Sequence, residues 1–547
     1  MFSVKVLEIC RFDVYNEDIT KGDQAMKKSV ALVLLLFAAI FAVFAGGSSE
    51  TPAPVSRITV NPTGFPIVNE PLTLAVFGIR DANQANWDNI YVLNEYEKMT
   101  GIHMDYQEVP DQGREEKKSL LFAANDLPDV FFRPLFTRNE ITRYGVESSQ
   151  LMPLNSLIEQ YCPNITAIFT ENPELKRALT AADGNIYALS QIDVSNSGKI
   201  GFKLWINKDW LARLGLDEPK TTEELTQVLR AFKTQDPNGN GKADEIPLAL
   251  REVGAVYSTL GGSFGLHYNM GNTINIENGQ IHFWLADQNF KEFLQYLNAL
   301  YKEGLLWSDF YKRDLPSWRA NLANALFGVF CMPYSDVFLS VEDQFKGLDP
   351  LVGPRGDQFW PDVKTGVETE AMSFALSSTC ANPEAAMRWV DYFYSPEGSL
   401  FFRYGVEGKT YYFDENGNPK MNDSILTDKR GFMTALGEIS LVPGGNNASL
   451  ITSQTEGLVA SDLTKEVAGQ LVKFSDEAVF APSFTPEETE QILLITQDLN
   501  KYRDEAVSRF IIGEYSFDMW GEYCKTLDKI GLGRLEKIYQ TAYDRAR

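Results

Sequence analysis

The sequence of 547 residues is too long for a single hydrophobic core, which predicts two or three compact domains. Its composition, 44% hydrophobic and 23% charged, is typical of a soluble globular protein. The formal net charge of −24 argues against nucleic acid or an anionic membrane surface as the main partner, because both repel an acidic protein.

The N-terminal region indicates export. From Met26 the chain reads MKKSVALVLLLFAAIFAVFAGGSSE, in which two lysines precede an almost wholly apolar stretch that ends in small residues. This order is typical of a signal peptide cleaved near Ala45, and the apolar stretch Val30–Ala45 is shorter than the ~20 residues of a membrane anchor. We therefore expect residues 1–25 to be a mis-assigned start, residues 26–45 a signal peptide and residues 46–67 a flexible linker.

The first predicted elements alternate between strands and helices. Leu72–Phe77, Ile102–Val109 and Pro128–Phe132 have the patterns of strands, and Asp88–Met99 and Glu115–Ala124 those of helices. Such alternation predicts a mainly parallel α/β sheet whose ligand face lies at the carboxyl ends of the strands.

The pattern restarts further along the chain. Leu204–Asn207 and Phe327–Met332 are predicted strands, and Lys208–Leu214, Thr221–Lys233 and Asn382–Tyr394 are predicted helices, with Thr222 as the N-cap of the second helix. Two α/β units on a non-contiguous chain path predict two lobes around a cleft. We expect residues 68–193 and about 348–410 in lobe 1, and residues 194–347 and about 411–547, with helical C-terminal additions, in lobe 2.

Four blocks of sequence carry a family resemblance. They are, in chain order, LWINKDWLARLGLDEPKTTEEL, DPNGNGKADEIPL, ANPEAAMRWVDYFYSPEGSLFFRYGVEGKTYYFDENG and RFIIGEYSFDMWGEYCKTLDKIGLGRLEKIYQTAYD. In this order they resemble the extracellular solute-binding proteins of ABC importers, in particular the large oligosaccharide-binding branch to which the alginate-binding proteins belong. The resemblance covers roughly residues 68–547.

The resemblance implies a two-lobed periplasmic-binding-protein fold, the Venus flytrap, which closes on a sugar without catalysis and delivers it to the permease subunits of an ABC importer. Many relatives are lipoproteins with a cysteine just after the apolar segment, whereas this chain has Gly46 and Gly47 there. We therefore expect a soluble, monomeric periplasmic receptor without a lipid anchor.

The loop Asp236–Glu245, DPNGNGKADE, has the spacing of a calcium-binding loop. Asp236, Asn238 and Asn240 fall at positions 1, 3 and 5 of an EF-hand loop, and Gly241 falls at the sharp turn of position 6. Hard oxygen ligands in this number favour calcium over zinc. A metal-free Asn-Gly turn is the alternative.

The EF-hand pattern breaks at position 12, where Pro247 replaces glutamate. In the alginate-binding relatives the same loop uses the adjacent acid, which here is Glu245. The resemblance therefore implies a structural calcium ion, and its ligands would be Asp236, Asn238, Asn240, the carbonyl of Lys242, Asp244 and Glu245.

An enzymatic function has less support. The motif GGSFG at Gly261–Gly265 matches the G-x-S-x-G pattern of hydrolases, which requires a histidine well downstream of the serine. The three histidines are His103, His267 and His282, so the triad cannot be completed at the usual spacing. A secreted glycoside hydrolase acting on oligosaccharides stays open as the alternative, because a pair of catalytic carboxylates can be neither identified nor excluded among 74 acidic residues.

A sugar site needs aromatic faces for the pyranose rings and polar side chains for the hydroxyl groups. Candidates lie in the loops after the predicted strands and near the segments that cross between the lobes. They are Asp81, Asn86, Trp87, Arg133, Trp205, Tyr257, Tyr334, Asp336 and Trp360. Arg133 is the one obvious cation among them, which favours neutral oligosaccharides over uronates.

Overall fold

The computed structural model describes residues 58–250, 253–269, 272–310, 315–333, 336–458, 460–476 and 478–546. The expected start extension, the signal peptide and most of the linker lie outside these residues. Within the described residues, no helix combines the length and the apolar character that a membrane-spanning segment requires.

Strands and helices alternate along the chain. The strands are β1 (Leu72–Arg80), β2 (Ile102–Pro110), β3 (Val130–Phe136), β4 (Ala188–Leu189), β5 (Ile192–Asp193), β6 (Lys203–Asn207), β7 (Ile246–Ala249), β8 (Ile274–Glu277), β9 (Gln280–Phe283), β10 (Phe327–Met332), β11 (Phe345–Gly347), β12 (Met372–Leu376), β13 (Tyr411–Phe413), β14 (Pro419–Met421) and β15 (Leu450–Ile451). The α-helices are Tyr91–Thr100, Arg114–Ala124, Arg138–Ile141, Asn155–Tyr161, Pro163–Glu171, Pro173–Leu179, Asn196–Lys199, Lys208–Leu214, Thr222–Thr234, Val253–Tyr257, Gln288–Lys302, Leu315–Ala323, Pro383–Asp391, Pro396–Tyr404, Asp423–Leu426, Phe432–Leu436, Asp462–Leu471, Pro486–Ile512, Trp520–Ile530 and Leu532–Ala546.

The first sheet has the strand order β2-β1-β3-β12-β4. Strand β1 runs parallel to β2, from Leu72 opposite Ile102 to Arg80 opposite Pro110, and also parallel to β3. Strand β12 returns antiparallel to both β3 and β4. The three strands predicted from the first part of the sequence are therefore present, and their carboxyl ends meet at one edge of the sheet, where open α/β sheets bind ligands.

The second sheet has the order β11-β6-β10-β7 and mixes orientations, because β10 runs parallel to β7 but antiparallel to β6. The amphipathic helix Thr222–Thr234 buries Leu225, Leu229 and Phe232 beside this sheet. Its N-cap is Thr221 rather than the predicted Thr222. Thr221 is in the extended conformation and its hydroxyl accepts from the Glu224 amide at 3.1 Å, whereas Thr222 is already helical.

Two hydrophobic cores divide the chain differently from the predicted lobe boundaries. Tyr411 and residues up to Leu458 belong to the first core, although residues from about 411 were predicted in lobe 2. Leu348, Leu351 and Trp360 belong to the second core, although residues from about 348 were predicted in lobe 1. The first difference arises because segment 437–439 bonds to the region after β1, where the amides of Ala85 and Val92 donate to the carbonyls of Gly437 at 3.0 Å and Ile439 at 2.9 Å.

Among the described residues that are buried in the two cores, the chain passes from one core to the other three times, between Ile192 and Ile200, Trp360 and Val367, and Leu458 and Val467. The first two of these crossing segments are bonded to each other, since the Asp193 amide donates to the Gly366 carbonyl at 2.6 Å, and β15, which precedes the third, pairs in parallel with β5. The C-terminal helices from Pro486 onward pack in the second core. The molecule is therefore a two-lobed α/β protein with helical C-terminal additions, as the sequence predicted.

Candidate functional site

The carboxyl ends of β1 and β3 carry the first group of predicted site residues. Asp81 follows β1, and its Oδ1 accepts from the amide and the side chain of Asn83 at 2.8 and 3.0 Å. Asn86 is exposed. Arg133 is only 3% exposed, and burial lowers its pKa. Its guanidinium donates to the carbonyls of Ile79, Gly444 and Gly445 at 2.5, 2.6 and 3.0 Å, so its hydrogen-bonding geometry is that of a structural clamp.

Gln84, which sequence reasoning missed, joins the same loops. Its Nε2 donates to the carbonyls of Leu441 and Pro443 at 2.9 and 2.6 Å, and its Oε1 accepts from the Asp81 amide at 3.0 Å. The loop after β1, the Arg133 side chain and the chain around residues 441–445 are therefore one hydrogen-bonded unit. The signal for this unit in the sequence is PGGNN at residues 443–447, which has strong turn chemistry.

The predicted aromatic platforms are buried in the two cores. Trp87 packs edge-on against Tyr106 and Phe132, and its indole nitrogen donates to Gln84 at 3.2 Å. Trp205 donates from its indole nitrogen to the Met332 carbonyl at 3.0 Å. Tyr257 and Trp360 are also buried in the second core. In this structure these four rings stabilise the cores and present no face to a ligand, because each bulky ring fills a gap in its own lobe.

Two predicted contacts from the second lobe cannot be placed. Tyr334 lies outside the described residues. Asp336 begins the 3-10 helix Asp336–Gln344, of which the structure describes the backbone but not the Asp336 side chain.

The GGSFG motif does not form an exposed nucleophile elbow. Leu260–Phe264 is a 3-10 helix, and Ser263 within it is buried. The Ser263 hydroxyl donates to the Leu351 carbonyl at 2.7 Å, so it forms a structural hydrogen bond inside the second lobe.

A cavity of about 1090 Å³ lies beside the crossing segments. The first lobe contributes Asn172–Gly184, the crossing segments contribute Asp193–Lys199 and Val363–Thr365, and the C-terminal part contributes residues between Val472 and Ala546. Phe480 packs against the first core, and the Ser483 hydroxyl bonds to the Thr180 carbonyl. A segment that follows the second lobe thus returns to the first one next to the hinge.

The start of β6 brings a buried lysine to the first crossing segment. The Lys203 ammonium donates to the carbonyls of Ile200, Gly201 and Pro333 at 3.1, 3.3 and 2.7 Å. Burial lowers the pKa of Lys203 to about 7, while the carboxylates of Asp362 and Glu456 oppose the shift. The hinge of the second lobe is therefore held through a titratable group.

The loop Asp236–Glu245 folds around its own side-chain oxygens. The Asp236 carboxylate accepts from the amides of Asn240 and Gly241 at 3.1 and 3.0 Å, and the Asn238 side-chain oxygen accepts from the Asn240 amide at 3.0 Å. Gly239 and Gly241 have φ values of 72° and 74°, which the tight turn requires. The side-chain amides of Asn238 and Asn240 donate to Asp244, and these bonds lower the pKa of Asp244.

Glu245 completes the donor set of this loop. Its Oε1 is buried and has no hydrogen-bond partner among the described residues. Burial raises the pKa of Glu245, and the carboxylates of Asp236 and Asp244 raise it further. No group of three or more acidic, histidine or cysteine side chains in the described part of the chain could hold a metal ion. The predicted site combines its carboxylates with the side-chain oxygens of Asn238 and Asn240 and the carbonyl of Lys242, and the buried, unpartnered carboxylate oxygen of Glu245 fits a calcium ion.

Two α/β lobes joined by three crossing segments define a class of protein, the receptors that close on a ligand held between their lobes. The chain belongs to the bacterial extracellular solute-binding protein family, whose sequence pattern matches residues 81–399. The family predicted from the sequence is therefore confirmed.

Individual relatives cover nearly the whole chain. The fructooligosaccharide ABC transporter substrate-binding protein FusA of Streptococcus pneumoniae serotype 4 is 27% identical over an alignment 540 residues long, which covers 94% of this chain and 98% of FusA. The structure of S. pneumoniae FusA in complex with kestose is 26% identical, covers 86% of this chain and 99% of that chain, and has a TM-score of 0.69. An EF-hand mutant of FusA in complex with fructo-nystose is 25% identical, covers 86% and 99% of the two chains and also has a TM-score of 0.69.

The alginate-binding protein AlgQ2, solved without calcium ion, has the same fold. It is 24% identical, covers 87% of this chain and 99% of that chain, and has a TM-score of 0.69.

Proposed function

We propose that this protein is a periplasmic receptor that captures an oligosaccharide in the cleft between its lobes and delivers it to the permease of an ABC importer. The observation that carries the proposal is the pair of α/β lobes joined by three crossing segments, the first two of which are bonded to each other. The similarity to FusA, whose structure contains kestose, supports an oligosaccharide as the ligand. The receptor acts as a monomer without catalysis, and a cleaved signal peptide exports it without a lipid anchor.

The mechanism that we propose is a shift between open and closed lobes. A sugar that contacts both lobes favours the closed state by no more than its difference in affinity for the two states. Asp81 and Asn86 in the first lobe, and Tyr334 and Asp336 in the second, stay our candidates for direct contacts. Arg133 acts through the loops that it holds.

We propose further that the loop Asp236–Glu245 binds a structural calcium ion. Its oxygen ligands would come from Asp236, Asn238, Asn240, the carbonyl of Lys242, Asp244 and Glu245. The buried, unpartnered Oε1 of Glu245 supports the site, as do the EF-hand of FusA and the calcium ion named for AlgQ2. The ion would cross-link the loop and supply no chemistry to a ligand.

Small-angle scattering with and without sugar tests the receptor. The probes are kestose, maltotriose and trigalacturonic acid, each also examined for shortened products after incubation with the protein. We expect at least one sugar to lower the radius of gyration and to be recovered intact. A constant radius of gyration together with released shorter sugars would favour the hydrolase, and N-terminal sequencing that finds residues 26–45 retained would reject the export model.

A further inference from the structure

The turn Pro443–Asn447 directs its carbonyl groups into the first lobe. Gly444, Gly445 and Asn446 have φ values of 93°, 64° and 49°, so three successive residues are in the left-handed region. Four of the five carbonyls of the turn accept from side chains of distant segments. The bonds are Pro443 O to Gln84 Nε2 at 2.6 Å, Gly444 O to Arg133 Nη2 at 2.6 Å, Gly445 O to Arg133 Nε at 3.0 Å and Asn446 O to Ser373 Oγ at 2.6 Å.

The donors of the same turn are left without partners. Within the described part of the chain, the amides of Gly444, Asn446 and Asn447 donate no hydrogen bond. Asn447 is 2% exposed and its Oδ1 has no partner there, and neither has the hydroxyl of the buried Ser449. Gly444 is exposed and Asn446 is half-buried, so the free amides of these two residues are accessible to a bound molecule, whereas the side-chain oxygens of Asn447 and Ser449 are fully buried.

The turn lies where the fold positions a ligand. Arg133 belongs to β3, the Ile79 carbonyl that it also binds belongs to β1, and Ser373 belongs to β12. A few residues after the turn, β15 pairs with β5 in the first crossing segment. The turn is therefore fixed between the carboxyl edge of the first sheet and the hinge, which is the usual ligand position in an open α/β sheet.

The charges around the turn favour a neutral ligand. A Cβ atom built on Gly444 would lie 2.6 Å from both Arg133 Nη2 and Asp81 Cβ, so a cation and an anion flank the turn together. All three guanidinium nitrogens of Arg133 already donate to carbonyls. A sugar carboxylate would find no uncommitted cation here and would meet Asp81, whereas hydroxyl groups can accept from the free amides.

We propose that the turn Pro443–Asn447 is a hydroxyl-binding subsite of the cleft that selects neutral sugars, an inference that rests on the proposed receptor function. The amides of Gly444 and Asn446 donate to sugar oxygens. The subsite is built mainly from main-chain groups, so its geometry depends on Arg133 and Gln84.

Gly445 allows a direct steric test. A Cβ atom at Gly445 would have nothing within 4 Å, so a methyl group there projects into the space that the sugar should occupy. Gly215 is a matched control, because its φ of 65° equals that of Gly445 within a degree and its Cβ would also meet nothing within 4 Å. Both alanine variants carry the same backbone strain. We expect Gly445→Ala to weaken kestose binding about tenfold or more by calorimetry, and Gly215→Ala to leave it unchanged.

Asn446 supplies a second variant that should not harm folding. Its side chain makes no hydrogen bond within the described residues, and glycine accepts its left-handed conformation more readily than asparagine. We expect Asn446→Gly to melt at the same or a higher temperature and yet to bind kestose several-fold more weakly, because the turn loses its fixed geometry. Weaker binding without lower stability is a result that a merely structural role would not give.

The outcomes separate the subsite from the receptor function. Calorimetry with kestose, maltotriose and trigalacturonic acid is carried out on the wild type and the three variants. Undiminished kestose or maltotriose binding by Gly445→Ala would overturn the subsite while leaving the receptor. Binding of trigalacturonic acid alone would overturn the preference for neutral sugars, and a wild type that binds none of the three would overturn the receptor function and the subsite with it.

Discussion

The loops Asp236–Glu245 and Pro443–Asn447 are both rich in asparagine and glycine, but they have opposite polarity. In the first loop, side-chain oxygens of Asp236 and Asn238 accept from the loop's own amides, and a carboxylate oxygen of Glu245 is left over. In the second, side chains of other segments occupy the carbonyls and amides are left over. The first loop therefore suits a cation and the second suits sugar oxygens. The polarity of such a turn depends on which of its groups the rest of the fold has already bonded.

The largest expected effect comes from removing the clamp of the second loop. Arg133→Met leaves the carbonyls of Ile79, Gly444 and Gly445 without their donor, the first of them buried, and we expect it to lower the free energy of unfolding by about 3 kcal/mol. Kestose binding should fall as well, because the amides of the turn lose their orientation. Urea unfolding and calorimetry measure the two effects.

Arg403 is the control for this substitution. It is a buried arginine of the same lobe, 3% exposed like Arg133, and its Nε donates to the Thr455 carbonyl at 3.1 Å. Arg403→Met should also destabilise the protein but should leave the affinity for kestose close to that of the wild type. Equal losses of affinity in the two variants would show that the turn Pro443–Asn447 has no special role.

The second prediction concerns calcium and the first loop. Calcium should raise the melting temperature of chelator-treated protein. At a calcium concentration a hundredfold above the dissociation constant, the free energy of unfolding should rise by about 2.7 kcal/mol. Asp236→Ala should abolish this response. Asp414→Ala is the matched control, because the Asp414 carboxylate also accepts from amides of an Asn-Gly turn, those of Asn416 and Asn418 at 2.9 and 2.8 Å. Metal-free wild type that melts at one temperature with and without calcium would contradict the site.

The two loops differ in how far the sequence could predict them. The candidate ligands of Asp236–Glu245 lie within ten consecutive residues, so their spacing is visible without a structure. The partners of Pro443–Asn447 are Gln84 and Arg133, which are 359 and 311 residues away from the carbonyls that they bind. Local turn chemistry could indicate a turn there, but only the packing of the first lobe decides which of its groups stay free.

The aromatic candidates show the same limit. The strand that begins at Leu72 was predictable from its pattern, but Trp87, predicted in the loop after it, begins the 3-10 helix Trp87–Asn89. The ring of Trp87 turns inward over Gly78, where a Cβ atom would lie 2.1 Å from the indole. Gly78 leaves space on the inner face of the strand, and the Trp87 ring fills it. Sequence spacing alone does not show which side chain fills such a space.

The two lobes also differ in the cations that hold their backbone carbonyls. Arg133 in the first lobe stays charged at any pH that the fold survives, whereas Lys203 in the second has its pKa lowered by burial to about 7. The unfolded value is about 10.4, so between these two values the unfolded chain binds more protons than the folded one. The free energy of unfolding must therefore rise with pH through this window, by at most about 1.4 kcal/mol per pH unit from this residue.

Lys203→Met isolates this smallest effect. Urea unfolding of the wild type and of the variant at about pH 7 and about pH 9 should show the wild type gaining stability relative to Lys203→Met as the pH rises, because the variant has no proton to release at this position. The difference between the wild type and Arg133→Met should stay constant over the same range, since the guanidinium does not titrate there. A constant difference for Lys203→Met as well would mean that the lysine is fully charged in the fold. The two clamps would then be alike, and the hinge of the second lobe would be no more sensitive to pH than the turn of the first.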